Sequence, residues 1–129
     1  MFYPTLKVGR MLKKIIIFFY ENWKIYTFLI FLTITFLSLY PLKEQPNIPG
    51  SDKIHHLIAY SALTVGIGLR KPSNYLLLIV FFSFYSGFIE IIQPYVNRFR
   101  EIEDFIFNNL GILIGLTLGI ITNKLFNKI

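Results

Sequence analysis

The chain has no cysteine. Disulfides, thiolate nucleophiles and Cys-ligated metal centres are therefore excluded, while the compartment is left undefined. Charge is scarce too. Asp, Glu, Lys and Arg make up 16% of the residues, and only seven are acidic, against about a quarter charged in soluble domains. No Gly-x-Ser-x-Gly elbow is present, so Ser/His/Asp catalysis has no nucleophile turn to work from. No His-x-x-Glu-His or similar spacing marks a metal site, and no nucleic-acid-binding motif accompanies the basic charge. No metal, cofactor or nucleic-acid partner is expected.

What is present is apolar. Hydrophobic residues form 54% of the 129, with 14 Phe and 8 Tyr, and mean hydropathy is +0.57. That length allows one domain. A soluble core of this size could not bury so many apolar side chains; a bilayer removes the difficulty, because lipid covers the excess. The net charge of +6 sits in residues flanking apolar runs, where it serves topology and anionic head groups.

Met1 to Gly9 is short and mixed and reads as a frayed end. From Met11 to Trp23, Leu12, Ile15, Ile16, Phe19 and Trp23 recur at helical spacing, apart from Lys13, Lys14, Glu21 and Asn22. This predicts an interfacial amphipathic helix with Tyr20 and Trp23 at head-group level, or a helix running on into the next element. Ile25 to Tyr40 is uncharged and closed by Pro41, a first span; its flank lacks the small-x-small pattern of a cleaved signal peptide. A loop punctuated by Pro46, Pro49 and Gly50 follows, and Ser51 or Asp52 caps the next helix. Ile54–Leu69 is the second span, residues 74 or 75 to Gln93 the third, and Phe105–Thr122 the fourth, separated by the Arg70–Ser73 turn and a charged loop over 95–104.

The predicted class is an all-α membrane protein of four transmembrane helices. Residues 1–24 form an N-terminal cytoplasmic or interfacial segment, 25–123 the membrane domain and 124–129 a basic cytoplasmic tail. Nine lysines and arginines fall on the side shared by both termini and the Arg70 turn, and four (Lys43, Lys53, Arg98, Arg100) on the other. The positive-inside rule then puts both termini in the cytoplasm.

Polar residues collect at the outward ends. His56, Glu90 and Asn108 each lie about one turn inside a different span, hence at one depth. Asp52, Gln93, Arg98 and Asp104 form a rim above them, with Tyr60 and Gly87 a turn deeper. Asp52, His56 and Tyr60 fall at i, i+4 and i+8, and Asp104, Asn108, Gly111 and Gly115 share another stripe. A carboxylate at the bilayer centre costs roughly 2.5–3.5 kcal/mol on insertion scales, so even Glu90, nearer the interface, should face the interior and find a partner in His56, Arg98 or Asn108. Desolvation there would suit it to proton transfer. Gly111, Gly115 and Gly119 make a small-xxx-small ridge, for which Ser83 and Gly87 on the third span offer a smooth partner. Blander readings stand beside these. The glycines could serve packing alone, Asp52 could be only a cap, Arg98 and Arg100 could pair with Glu101 and Glu103, and His55 points about 100° away from His56. A metal set of His56, Glu90, Asp104 and Asp52 is conceivable without a signature.

Asp52-Lys53-x-x-His56, Tyr60, Glu90-x-x-Gln93, Arg98, Asp104, Asn108, Gly111 and Gly115 together resemble the VanZ-like family of small bacterial membrane proteins. The likeness covers residues 52 to 115, about half the chain. It implies a multi-pass protein of the cytoplasmic (inner) membrane with about four helices. The family's namesake is associated with resistance to the glycopeptide teicoplanin. The chain departs from the family pattern in the charges Arg100, Glu101 and Glu103 and in the second histidine, His55.

The expected function is binding or processing of a cell-envelope component, lipid-linked or anionic glycan, in an outward-facing pocket. Glu90 is the expected acid/base and His56 its partner, with Asp52, Tyr60, Gln93, Arg98, Asp104 and Asn108 contacting ligand. The alternative is a structural or accessory subunit whose polar layer only locks the helices. Membrane lipids are the expected partners, and the oligomeric state is left undetermined.

Overall fold

The computed structural model describes residues 4–41, 51–98 and 101–127. The described residues form five α-helices: α1 (Pro4–Glu21), α2 (Trp23–Leu39), α3 (Ser51–Arg70), α4 (Tyr75–Ile92) and α5 (Ile102–Phe126). Among the described residues there is no strand. The Pro46–Gly50 loop, Lys43, Arg100 and Lys128 lie outside the described residues.

Local chemistry sets the boundaries. Tyr40 leaves α2 with extended angles (φ −71°, ψ 124°), because Pro41 crowds the helical conformation of the residue before it. α3 ends at a left-handed Lys71 (φ 50°) whose N–H closes on the Ile67 carbonyl at 2.7 Å; Pro72 prevents continuation. Pro94 stops α4, yet the chain makes one further 3₁₀ turn, Gln93–Val96, before a left-handed Asn97.

Two expectations about the N-terminal region change. The segment predicted to fray is helical from Pro4. Neither is α1 continuous with α2, because the chain bends by 75° between them. Asn22 marks the break, and its side-chain amide donates to the Phe18 carbonyl at 2.9 Å. Trp23 therefore opens α2 rather than closing the amphipathic helix. α5 is also longer than the predicted fourth span. It takes Glu103 and Asp104 into its first turn, where the helix dipole favours negative charge.

Polar side chains share the interior with an apolar core, and many large apolar side chains face outward. Thr64, Ser86, Gln93 and Asn108 are buried, whereas Leu77, Phe84 and Phe88 are exposed, Phe84 by 78%. Exposed apolar surface of this kind is compatible with lipid contact. Among the described residues, Tyr75–Val96 and Ile102–Phe126 are long and apolar enough to cross a bilayer, and the bent α1–α2 pair makes a third if it crosses as one. α3, with Asp52, Lys53 and two histidines in its first two turns, is less apolar. It is also the central helix, touching α1, α2, α4 and α5.

The most extensive contact is between α3 and α5, which run parallel. A Cβ on Gly111 would meet the Leu57 carbonyl oxygen, one on Gly115 that of Ser61, and one on Gly119 that of Val65. Only glycine lets the backbones approach so closely. Hydrogen bonds then join the two helices: Ser61 Oγ to the Gly111 carbonyl at 3.0 Å, Thr64 Oγ1 to that of Ile112 at 2.9 Å, and Asn123 Nδ2 to that of Leu69 at 2.6 Å. The glycine ridge thus seats on α3, not on the Ser83/Gly87 patch of α4 that the sequence suggested. Gly87 instead faces the Phe105 ring. Ser83 and Ser86 bond Asn109, a residue for which no role was expected.

Candidate functional site

The C-terminal ends of α2 and α4 and the N-terminal ends of α3 and α5 meet at one end of the bundle. They enclose a cavity of about 590 Å³. Asp52, His56, Tyr60, Gln93, Arg98 and Asp104 line it, alongside apolar side chains of α2 such as Ile34 and Leu37. Its size is that of a small-molecule site with few polar groups in apolar walls. A second cavity, about 500 Å³, lies towards the other end between α2 and α4, lined by Trp23, Lys24, Phe31 and Leu78 among others.

Behind the cavity wall runs a chain of polar contacts. Asn108, fully buried, donates from Nδ2 to Glu90 Oε1 at 3.4 Å. Its Oδ1 lies 2.8 Å from His56 Nδ1. With the amide oriented in this way, Oδ1 must accept, so Nδ1 carries the proton. His56 Nε2 is then left facing Asp104 Oδ2 at 3.6 Å. That is too long for a good hydrogen bond, but close enough for a proton or a cation to be shared. The order is Glu90, Asn108, His56, Asp104, running from interior to cavity.

This arrangement changes the expected roles. Glu90 is buried (4% exposed), yet neither it nor Asn108 is among the cavity-lining residues. Hydrogen bonds through Asn108 and His56 link Glu90 to the cavity, so it is placed to position, and His56 to touch, whatever enters. Gln93 ties α4 to α2: its Nε2 donates to the Ser38 carbonyl at 3.2 Å. Arg98 lines the cavity and makes no ion pair among the described residues. Among the described residues Glu103 pairs with Lys53, and this contact raises the Lys53 ammonium pKa above its ordinary value.

Two residues set aside in the sequence reading belong here. His55 lines the cavity, although exposed, and so does Glu101. Glu101, Asp52 and Asp104 bring carboxylate oxygens together, so the acidic group contains Glu101 in place of the Glu90 weighed from sequence. The spacing of Glu101 and Asp104, three apart at a helix start, was the available signal. The chain matches no family model, no curated protein and no solved structure.

Proposed function

We propose that the chain is a four-span membrane protein, crossing with α2, α3, α4 and α5, that binds or processes a cell-envelope component in an outward-facing pocket. The observation that carries this reading is the cavity itself: a ligand-sized space at one end of an apolar bundle, lined by His56, Asp104, Gln93 and Arg98. Its ligand is a lipid-linked or anionic glycan intermediate, with Arg98 as the anion contact and Gln93 and Tyr60 as orienting groups. His56 is the acid/base group, set by Asn108 and Glu90 from behind. The location is the cytoplasmic (inner) membrane of a bacterium with both termini inside, on the balance of lysine and arginine. The motif resemblance of residues 52–115 to the VanZ-like family, which no family-model match accompanies, points the same way, and a link to glycopeptide resistance rests on that resemblance alone.

The test is mass spectrometry of lipids and glycans that copurify with the wild type and with Arg98→Ala. An anionic or glycan-bearing species enriched with the wild type and lost from the variant is the expected result. Identical profiles contradict it.

A second reading is favoured by the Glu90–Asn108–His56 hydrogen bonds, which join three helices. On that reading the polar layer only locks the bundle of an accessory subunit. Asn108→Ala would then lower thermal stability, and the Arg98 comparison would find no ligand.

A further inference from the structure

The cavity holds a group of carboxylates that the hydrogen-bond chain leaves largely unexplained. Asp52 in the first turn of α3, Glu101 at the start of α5 and Asp104 in its first turn each offer one carboxylate oxygen. These oxygens all lie within 4.8 Å of one another. Like charges so close repel, more strongly as water is withdrawn. The neighbouring cations offset part of this, Lys53 acting on Asp52, Glu101 and Asp104 at longer range. Lys53 is engaged with Glu103, and Arg98 makes no ion pair among the described residues. His56 approaches only Asp104, at 3.6 Å.

An independent observation comes from α4. Gln93 lines the same cavity and is 1% exposed. Because its Nε2 donates to the Ser38 carbonyl, its other terminal atom must be oxygen. That Oε1 has no hydrogen-bond partner among the described residues, and neither has the buried Asp104 Oδ1. Buried acceptors are ordinarily satisfied. Here two buried acceptors lack donors, on residues lining the same cavity as the three carboxylates.

We propose that Asp52, Glu101 and Asp104 form a site for a hard divalent cation of calcium size. Oxygen ligands select such ions over softer metals. Three protein carboxylates converging on one point suit Ca²⁺, which takes about 6–8 oxygen ligands in flexible geometry, better than Mg²⁺, which keeps several waters and is usually held by one or two carboxylates. Its remaining coordination comes from cavity water or from the oxygens of a bound ligand, which would let the ion bridge an anionic group to the acidic wall. The site needs only the carboxylates and the cavity, so it does not depend on the envelope ligand.

The experiment is calorimetric titration of the chelator-treated full chain in detergent with CaCl₂, and separately with MgCl₂. Saturable binding of about one Ca²⁺ per chain is expected, about tenfold or more tighter than Mg²⁺. Asp52→Asn and Glu101→Gln should each weaken it about tenfold or more. Neither carboxylate makes an ion pair among the described residues and each change keeps the side chain's size while removing like-charge repulsion, so both variants should unfold at or above the wild-type temperature in chelator, which keeps the test valid even if Asp104→Asn does not fold. No saturable Ca²⁺ binding by the wild type, equal binding by wild type and both variants, or tighter Mg²⁺ binding overturns the proposal. The titration uses the metal alone, so its failure leaves the Arg98-dependent copurification result standing. Loss of that result would leave the calcium isotherm unchanged.

Discussion

The His56 ring and the Asn108 amide meet at 2.8 Å between two parallel helices packed almost backbone to backbone. That contact connects the structural seam of the protein to its cavity. On one side of it lies the glycine-lined interface of α3 and α5; on the other, through Asp104, lies the pocket.

Asn108→Ala removes the amide from both His56 and Glu90. A buried polar group that loses its partner costs about 1–3 kcal/mol, so the variant should be less stable by about that much. Thermal or denaturant unfolding in detergent measures the difference. An unchanged transition would mean that the amide is not the junction described.

Glu90→Gln should insert normally and fold, since the change keeps size and removes charge. Its effect should appear at His56. In the wild type the Asn108 amide is oriented by the Glu90 carboxylate, which favours a proton on Nδ1. Glutamine can donate as well as accept, so the amide loses that constraint. Nitrogen-15 NMR of His56 should report an Nδ1–H ring in the wild type and a mixture of tautomers in the variant. Identical spectra would remove Glu90 from its positioning role.

Gly115→Leu should separate α3 from α5. Even a Cβ there would collide with the Ser61 carbonyl and crowd Thr64. Overpacking of this kind costs about 1–3 kcal/mol, occasionally more. Gly9→Ala is the control, because nothing lies within 4 Å of its added carbon. Unfolding in detergent should show a marked loss for the first and almost none for the second. Equal effects would contradict the seam.

Much of this organisation could be read from the residues, and the failures have physical causes. Apolar runs, Pro41, Pro72 and Pro94 mark the helices because each acts locally. Counting rise per residue from the helix ends put His56, Glu90 and Asn108 at one level, and the structure joins them by hydrogen bonds. The glycine ridge announced a close neighbour but not which one, since small residues on one helix carry no address for the other. Its partner is α3, chosen by Ser61 and Thr64, whose hydroxyls reach across to α5 carbonyls. The bend at Asn22 stayed open in sequence, between a separate interfacial helix and a continuous one, because an asparagine bonding back to Phe18 marks it, without proline or glycine. Glu101 looked like one more solvated charge until α5 proved to begin at Ile102.

The absence of cysteine makes the central claim, a polar cavity reached from outside the cell, directly measurable. Single variants His55→Cys, beside the cavity, and Lys71→Cys, at the opposite end of α3, each introduce one thiol into a chain that has none. A membrane-impermeant maleimide applied to intact spheroplasts should label His55→Cys at once and Lys71→Cys only after the membrane is permeabilised. Labelling of Lys71→Cys from outside, with His55→Cys protected, would turn the cavity towards the cytoplasm and contradict the account.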